Sequence, residues 1–169
     1  MQFRMLLAAV LGLSLLVASA GCQTSVSAVA DESINESKGA ATVKGTLFGT
    51  EVVLDSAAYD GQLSISQGDG WAWNPSLLIF LFLDEGEVPV GKTIEVPAQE
   101  ASFENPTPHV HCRWNNTHGE LETEVATSDY EMTIKFGEVE DGHLPGEIHF
   151  AIPGKDTRLT GTFRAVIEK

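Results

Sequence analysis

The residues best equipped for chemistry lie in one stretch, Pro108-His109-Val110-His111-Cys112-Arg113-Trp114-Asn115-Asn116-Thr117-His118. Side chains alternate along an extended chain, so His109 and His111 share a face and Cys112 takes the opposite one. Two imidazoles on one face can grip a single Zn or Cu ion. His118 becomes a third ligand if the intervening Asn-Asn-Thr stretch turns back as a hairpin, with Glu120 or Glu122 completing the site. His149 sits on the polar face of its own strand and joins the set only if that strand lies beside residues 108–114. His143 falls in a turn and is expected to be exposed. The plainer reading is a solvent-facing strand that holds no cofactor, whose histidines do nothing beyond their hydrogen bonds.

Two further groups carry weaker signals. Trp71 and Trp73, at i and i+2 between glycines and Asn74-Pro75, share one face of an extended segment, and Trp114 stands beside the histidines. Exposed, these three indoles would form a flat platform for a sugar ring or a protein partner. Buried, they would close the end of a core. The acidic turns Asp84-Glu85-Gly86-Glu87 and Glu138-Val139-Glu140-Asp141-Gly142 offer oxygen ligands but lack the alternating Asp/Asn pattern of a calcium loop, and read as solvated turns. There is no G-x-S-x-G, no HExxH, no phosphate loop and no dinucleotide fingerprint, so a non-catalytic protein is expected.

What must position these residues is a set of short strands. Turn signals recur at Asp60-Gly61, Gly68-Asp69-Gly70, Asn74-Pro75, Glu85-Gly86, Gly91, Asn105-Pro106, Asp141-Gly142, Pro145-Gly146 and Pro153-Gly154. Between them, Met132, Ile134 and Phe136, then Ile148, Phe150 and Ile152, then Leu159, Phe163, Ala165 and Ile167 alternate with polar neighbours. That period of two predicts three successive antiparallel strands with one face in the core. The unbroken run Leu77–Leu83 predicts a strand buried on both faces. Val43–Phe48, Glu51–Leu54, Gln62–Ser66, Thr93–Val96, Pro108–Trp114 and Leu121–Ala126 bring the set to about eight or nine strands, with a short helix allowed at Asp55–Tyr59. The fold expected is all-β, an antiparallel β-sandwich over residues 42–169.

The chain opens MQFRMLLAAVLGLSLLVASAGC: a cation at Arg4, an uncharged apolar stretch Met5–Val17, then Ser19-Ala20-Gly21 running directly into Cys22. This is the pattern of an export signal, and its ending on cysteine resembles the signal of bacterial lipoproteins, with Ser19 standing where an aliphatic residue is usual. The resemblance implies cleavage after residue 21 and a diacylglyceryl group on the Cys22 thiol. It further implies a membrane partner reached through lipid. Gln23, rather than aspartate, implies the outer membrane over the inner. Residues 22–41, rich in Ser, Ala and acidic side chains without a hydrophobic period, read as the lipidated cysteine and a flexible tether. The closing phrase GEIHFAIPGKDTRLTGTFRAVIEK is similar to the final hairpin of bacterial extracytoplasmic β-sandwich lipoproteins, which implies the fold and no activity.

Charge narrows the partners. Beyond Cys22 there are 24 acidic residues and nine basic ones, a net charge of −15. Such a field repels phosphate backbones, and no Lys/Arg cluster offsets it, so nucleic acid is not an expected partner. A protein or glycan partner stays open. With Cys22 assigned to lipid, Cys112 has no disulfide partner and is expected to be buried as a small hydrophobe.

Overall fold

A computed structural model describes residues 39–68, 74–98 and 107–168. Cys22, the signal, residues 22–38 of the tether, Trp71 and Trp73 lie outside the described residues. Among these residues ten strands form: β1 (Gly39–Leu47), β2 (Thr50–Tyr59), β3 (Gln62–Ser66), β4 (Ser76–Phe80), β5 (Thr93–Val96), β6 (His109–Asn115), β7 (Leu121–Ala126), β8 (Glu131–Phe136), β9 (His143–Ile152) and β10 (Thr157–Ile167). Among the described residues there is no helix. The fold is all-β, and its first strand begins at Gly39, ahead of the Thr42 boundary read from composition.

All ten strands belong to one hydrogen-bonded sheet in the order β5-β8-β9-β10-β1-β2-β3-β4-β6-β7, curled into a half-barrel. Its strands pair antiparallel except at one seam. There β10 runs past the start of β1 and pairs directly with β2 in parallel, Val166 with Ala58 and Ile167 with Tyr59. The core is the inner face of this single curled sheet, where the sequence reading expected two sheets packed together.

Alternation places the core as expected. Met132, Ile134, Phe136, Ile148, Phe150, Leu159, Phe163 and Ala165 are all buried, with polar residues between them facing outward. From the other half of the sheet, Leu54, Leu63, Ile65, Leu77, Ile79, Val110 and Cys112 join the same cluster. Removing apolar surface of this extent from water is the main term favouring the fold. Tyr130, almost fully buried, donates its hydroxyl to the Pro108 carbonyl and so ties the start of β8 to the start of β6.

The helix allowed at Asp55–Tyr59 does not form, because β2 continues through it. The pairing of β1 with β2 shifts register between Ala40 and Val43, and the inward set on β2 changes from Val52 and Leu54 to Ala57 and Tyr59. A bulge of this kind breaks the period of two, which hides the strand from a pattern reading. The Asp55 carboxylate, at the shift, accepts the Gly68 amide at 2.6 Å.

Candidate functional site

On β6, Val110, Cys112 and Trp114 point into the core, while His109, His111 and Arg113 face outward and are half-buried. The register fixes their neighbours. Phe80, Leu78 and Ser76 of β4 stand opposite His109, His111 and Arg113, and Val125 and Thr123 of β7 stand opposite His111 and Arg113 on the other side. The rings meet diagonally: His111 lies 4.8 Å from Phe80, and His109 lies edge-on 4.8 Å from Phe82. The result is a small outward face of two imidazoles between two phenyl rings.

Phe82 is held there at a cost. Its φ of 53° is unusual for a bulky side chain, and the residue is 54% exposed. Backbone strain of this kind is worth about 1–3 kcal/mol and tends to mark functional positions. Partial burial holds the His111 imidazole below the ordinary histidine range, helped by the neighbouring His109 and Arg113 charges. The imidazole therefore stays neutral, with a lone pair to offer, further into mild acid than a free histidine.

Other parts of the expected metal set are elsewhere. His118 sits in the turn beyond the far end of β6, where the Asn116 Oδ1 accepts both the His118 and Glu120 amides at 2.9 and 3.0 Å. The four residues of extended strand from His111 to Asn115 alone span about 13 Å, so His118 does not join the pair. Glu122 stands opposite Trp114 and Glu124 opposite Cys112, which puts both on the face turned away from the histidines. His149 lies on β9, separated in the sheet from β6 by β10, β1, β2, β3 and β4, and sits 3.7 Å from Glu131. His143, expected exposed, is half-buried at the start of β9, its Nδ1 2.9 Å from the Asp141 carbonyl oxygen. Among the described residues no three His, Cys, Asp or Glu side chains gather as a metal cluster.

Trp114 is not part of an exposed platform. It is only 7% exposed, and its ring stacks on Phe48 with centroids 3.9 Å apart. Cys112 is fully buried, and burial pushes its thiol up to about 12, with the Glu124 charge adding to the rise and Lys155 opposing it. The acidic turns are bound into the fold or open to water. Glu87 pairs with Lys92, and its carbonyl accepts the Tyr59 hydroxyl at 2.6 Å. Glu138, Glu140 and Asp141 are exposed.

The aromatic half of the face escaped the sequence reading. In the run Leu77–Leu83 the apolar residues are continuous, so the outward turn of Phe80 and Phe82 carries no contrast with its neighbours. Their i, i+2 spacing was the available signal. No family model, curated protein or solved structure matches the chain.

Proposed function

We propose that this chain is an exported bacterial lipoprotein, held on a membrane through lipid on Cys22, whose β-domain binds and does not catalyse. The observation that carries the reading is the N-terminal pattern, an apolar stretch ending in small residues and then Cys22. Two acyl chains on one residue suffice for stable anchoring where a single chain is marginal. By the same resemblance the outer membrane is the proposed address. Among the described residues no helix is long and apolar enough to cross a membrane. The non-catalytic reading is supported by Cys112, whose sealed thiol faces away from His109 and His111.

The test is fractionation of a bacterial host expressing the full chain. The protein should pellet with membranes and leave them only with detergent, whereas a Cys22→Ala variant should lose that behaviour. Equal membrane retention of the two would overturn the anchor.

A second reading, metal binding, is favoured by one observation: His109 and His111 share the outward face, with His111 held toward its neutral form. Two nitrogens with no third ligand among the described residues suit a weakly held Cu or Zn ion whose remaining positions are filled by water or a partner's donor. Elemental analysis of protein purified without chelator should then find metal in the parent chain and none in the His109→Ala, His111→Ala double variant. Metal content unchanged by the double substitution would exclude this site.

A further inference from the structure

The outer face of β2 and β3 carries a second feature, which meets the histidine face only at Leu78 of β4. A cleft of about 310 Å³ opens there, bounded by Gly39 where β1 begins and by Val166 and Glu168 where β10 passes to β2. Its lining combines apolar Ala58 and Leu78 with the hydroxyls of Ser56, Ser64 and Ser66 and the side chain of Gln62. Asp60 and Glu168 add carboxylates to the lining, and among the described residues no Lys or Arg lines the cleft.

The register explains this collection. Ser56 stands opposite Ser66, Ala58 opposite Ser64, and Ser64 opposite Leu78, so small residues occupy adjacent outward positions on two strands. A sheet surface bearing side chains this short leaves a hollow. Ser66 donates its hydroxyl to the Gly68 carbonyl at 3.0 Å. Among the described residues the Ser56 and Ser64 hydroxyls and the Gln62 side-chain amide make no hydrogen bond within the protein. They face water as ready donors and acceptors.

The geometry points to a binding site for a sugar ring that carries no negative charge. A sugar ring presents hydroxyls around its edge and C–H groups on its face. The serines, the amide and the two carboxylates match the edge, carboxylate oxygens accepting from hydroxyls in charge-assisted bonds. Ala58 and Leu78 match the face. The volume lies at the lower end of the range for small-molecule sites, the size of a short ligand. Two carboxylates, with no cation in the lining among the described residues, disfavour phosphorylated and uronic sugars and favour a neutral hexose or a free amino sugar. The inference needs neither the lipid on Cys22 nor metal at His109 and His111, so its failure would leave the fractionation and metal results untouched.

The test is ligand-observed NMR on the purified full chain in detergent, with glucose, glucosamine and glucuronic acid as probes. Glucose or glucosamine should bind and glucuronic acid should not. Ser64→Phe, which fills the cleft from a half-exposed strand position, should weaken binding about tenfold or more, a loss of about one decade in Kd. Gln62→Ala, at a half-exposed position whose removal leaves the core intact, should weaken it about fivefold. The His109→Ala, His111→Ala variant should bind as the parent does. Absence of binding by glucose and glucosamine, equal binding of glucuronic acid, or full binding by a folded Ser64→Phe variant together with Gln62→Ala would overturn the proposal.

Discussion

At the scale of single residues, environment sets what each candidate can do. Every second residue of β6 faces the core, and this parity alone separates a thiol pushed up to about 12 from two imidazoles at the surface. His111 makes a pH prediction. Its folded-state pKa lies below the unfolded value of about 6.5, so the unfolded chain takes up the proton first. The stability it contributes is complete above that value and is lost as pH falls through the folded one. The groups that oppose protonation, His109 and Arg113, are on its own strand, while Leu78 and Val125, opposite it on β4 and β7, carry no charge. Urea midpoints should therefore fall between pH 7.5 and 5 in the parent and fall less in His111→Gln. Identical pH profiles would show that this imidazole is no more desolvated folded than unfolded. The pairing of His109 with His111 was legible from spacing, whereas the neighbours of each ring were not, because Phe80 and Phe82 arrive from a strand nearly thirty residues earlier.

At the scale of elements, strands with clean alternation declared themselves and irregular ones did not. β8 and β10 lie where Met132 and Leu159 with their partners place them, whereas β9 begins at His143 and runs through Pro145-Gly146, which reads as a turn. The second half of β2 was hidden by its bulge, and the outward part of the β4 run by its continuous apolarity. Strand order was hidden more deeply. That β4 pairs with β6, or β5 with β8, depends on contacts far apart in sequence, which local pattern does not encode. The same distance keeps His149 from the histidine pair. Where β1 crosses β10 the backbones approach closely. Gly161 has φ +156°, and a Cβ there would lie 2.2 Å from the Thr42 carbonyl oxygen. Gly161→Ala should force the two strands apart and cost about 3 kcal/mol or more, in the range of strained or overpacked sites. Chemical denaturation measures it, and a loss under about 0.5 kcal/mol, the size of a neutral surface change, would contradict the close packing of this seam.

At the scale of the whole molecule, charge and address dominate. A net charge of −15 beyond Cys22 repels itself in the compact state. Salt shortens that repulsion to about 10 Å at 0.1 M, so the thermal midpoint should rise as sodium chloride is raised from 10 mM to 0.3 M. A midpoint that falls would mean that ion pairs such as Glu87–Lys92 and Glu124–Lys155 outweigh the general field. The two outward sites lie on the same half of the sheet, the serine-lined cleft over β2 and β3 and the histidine face over β4 and β6. A domain tethered to a membrane through Cys22 would present both to whatever lies beside that membrane. The lipid anchor shows itself in the intact mass and N-terminal sequence of the protein recovered from bacterial membranes. Residues 1–21 should be gone, and Cys22 should be the new N-terminus carrying a diacylglyceryl group. A chain retaining Met1, or one beginning near Cys22 with an unmodified thiol, would contradict it.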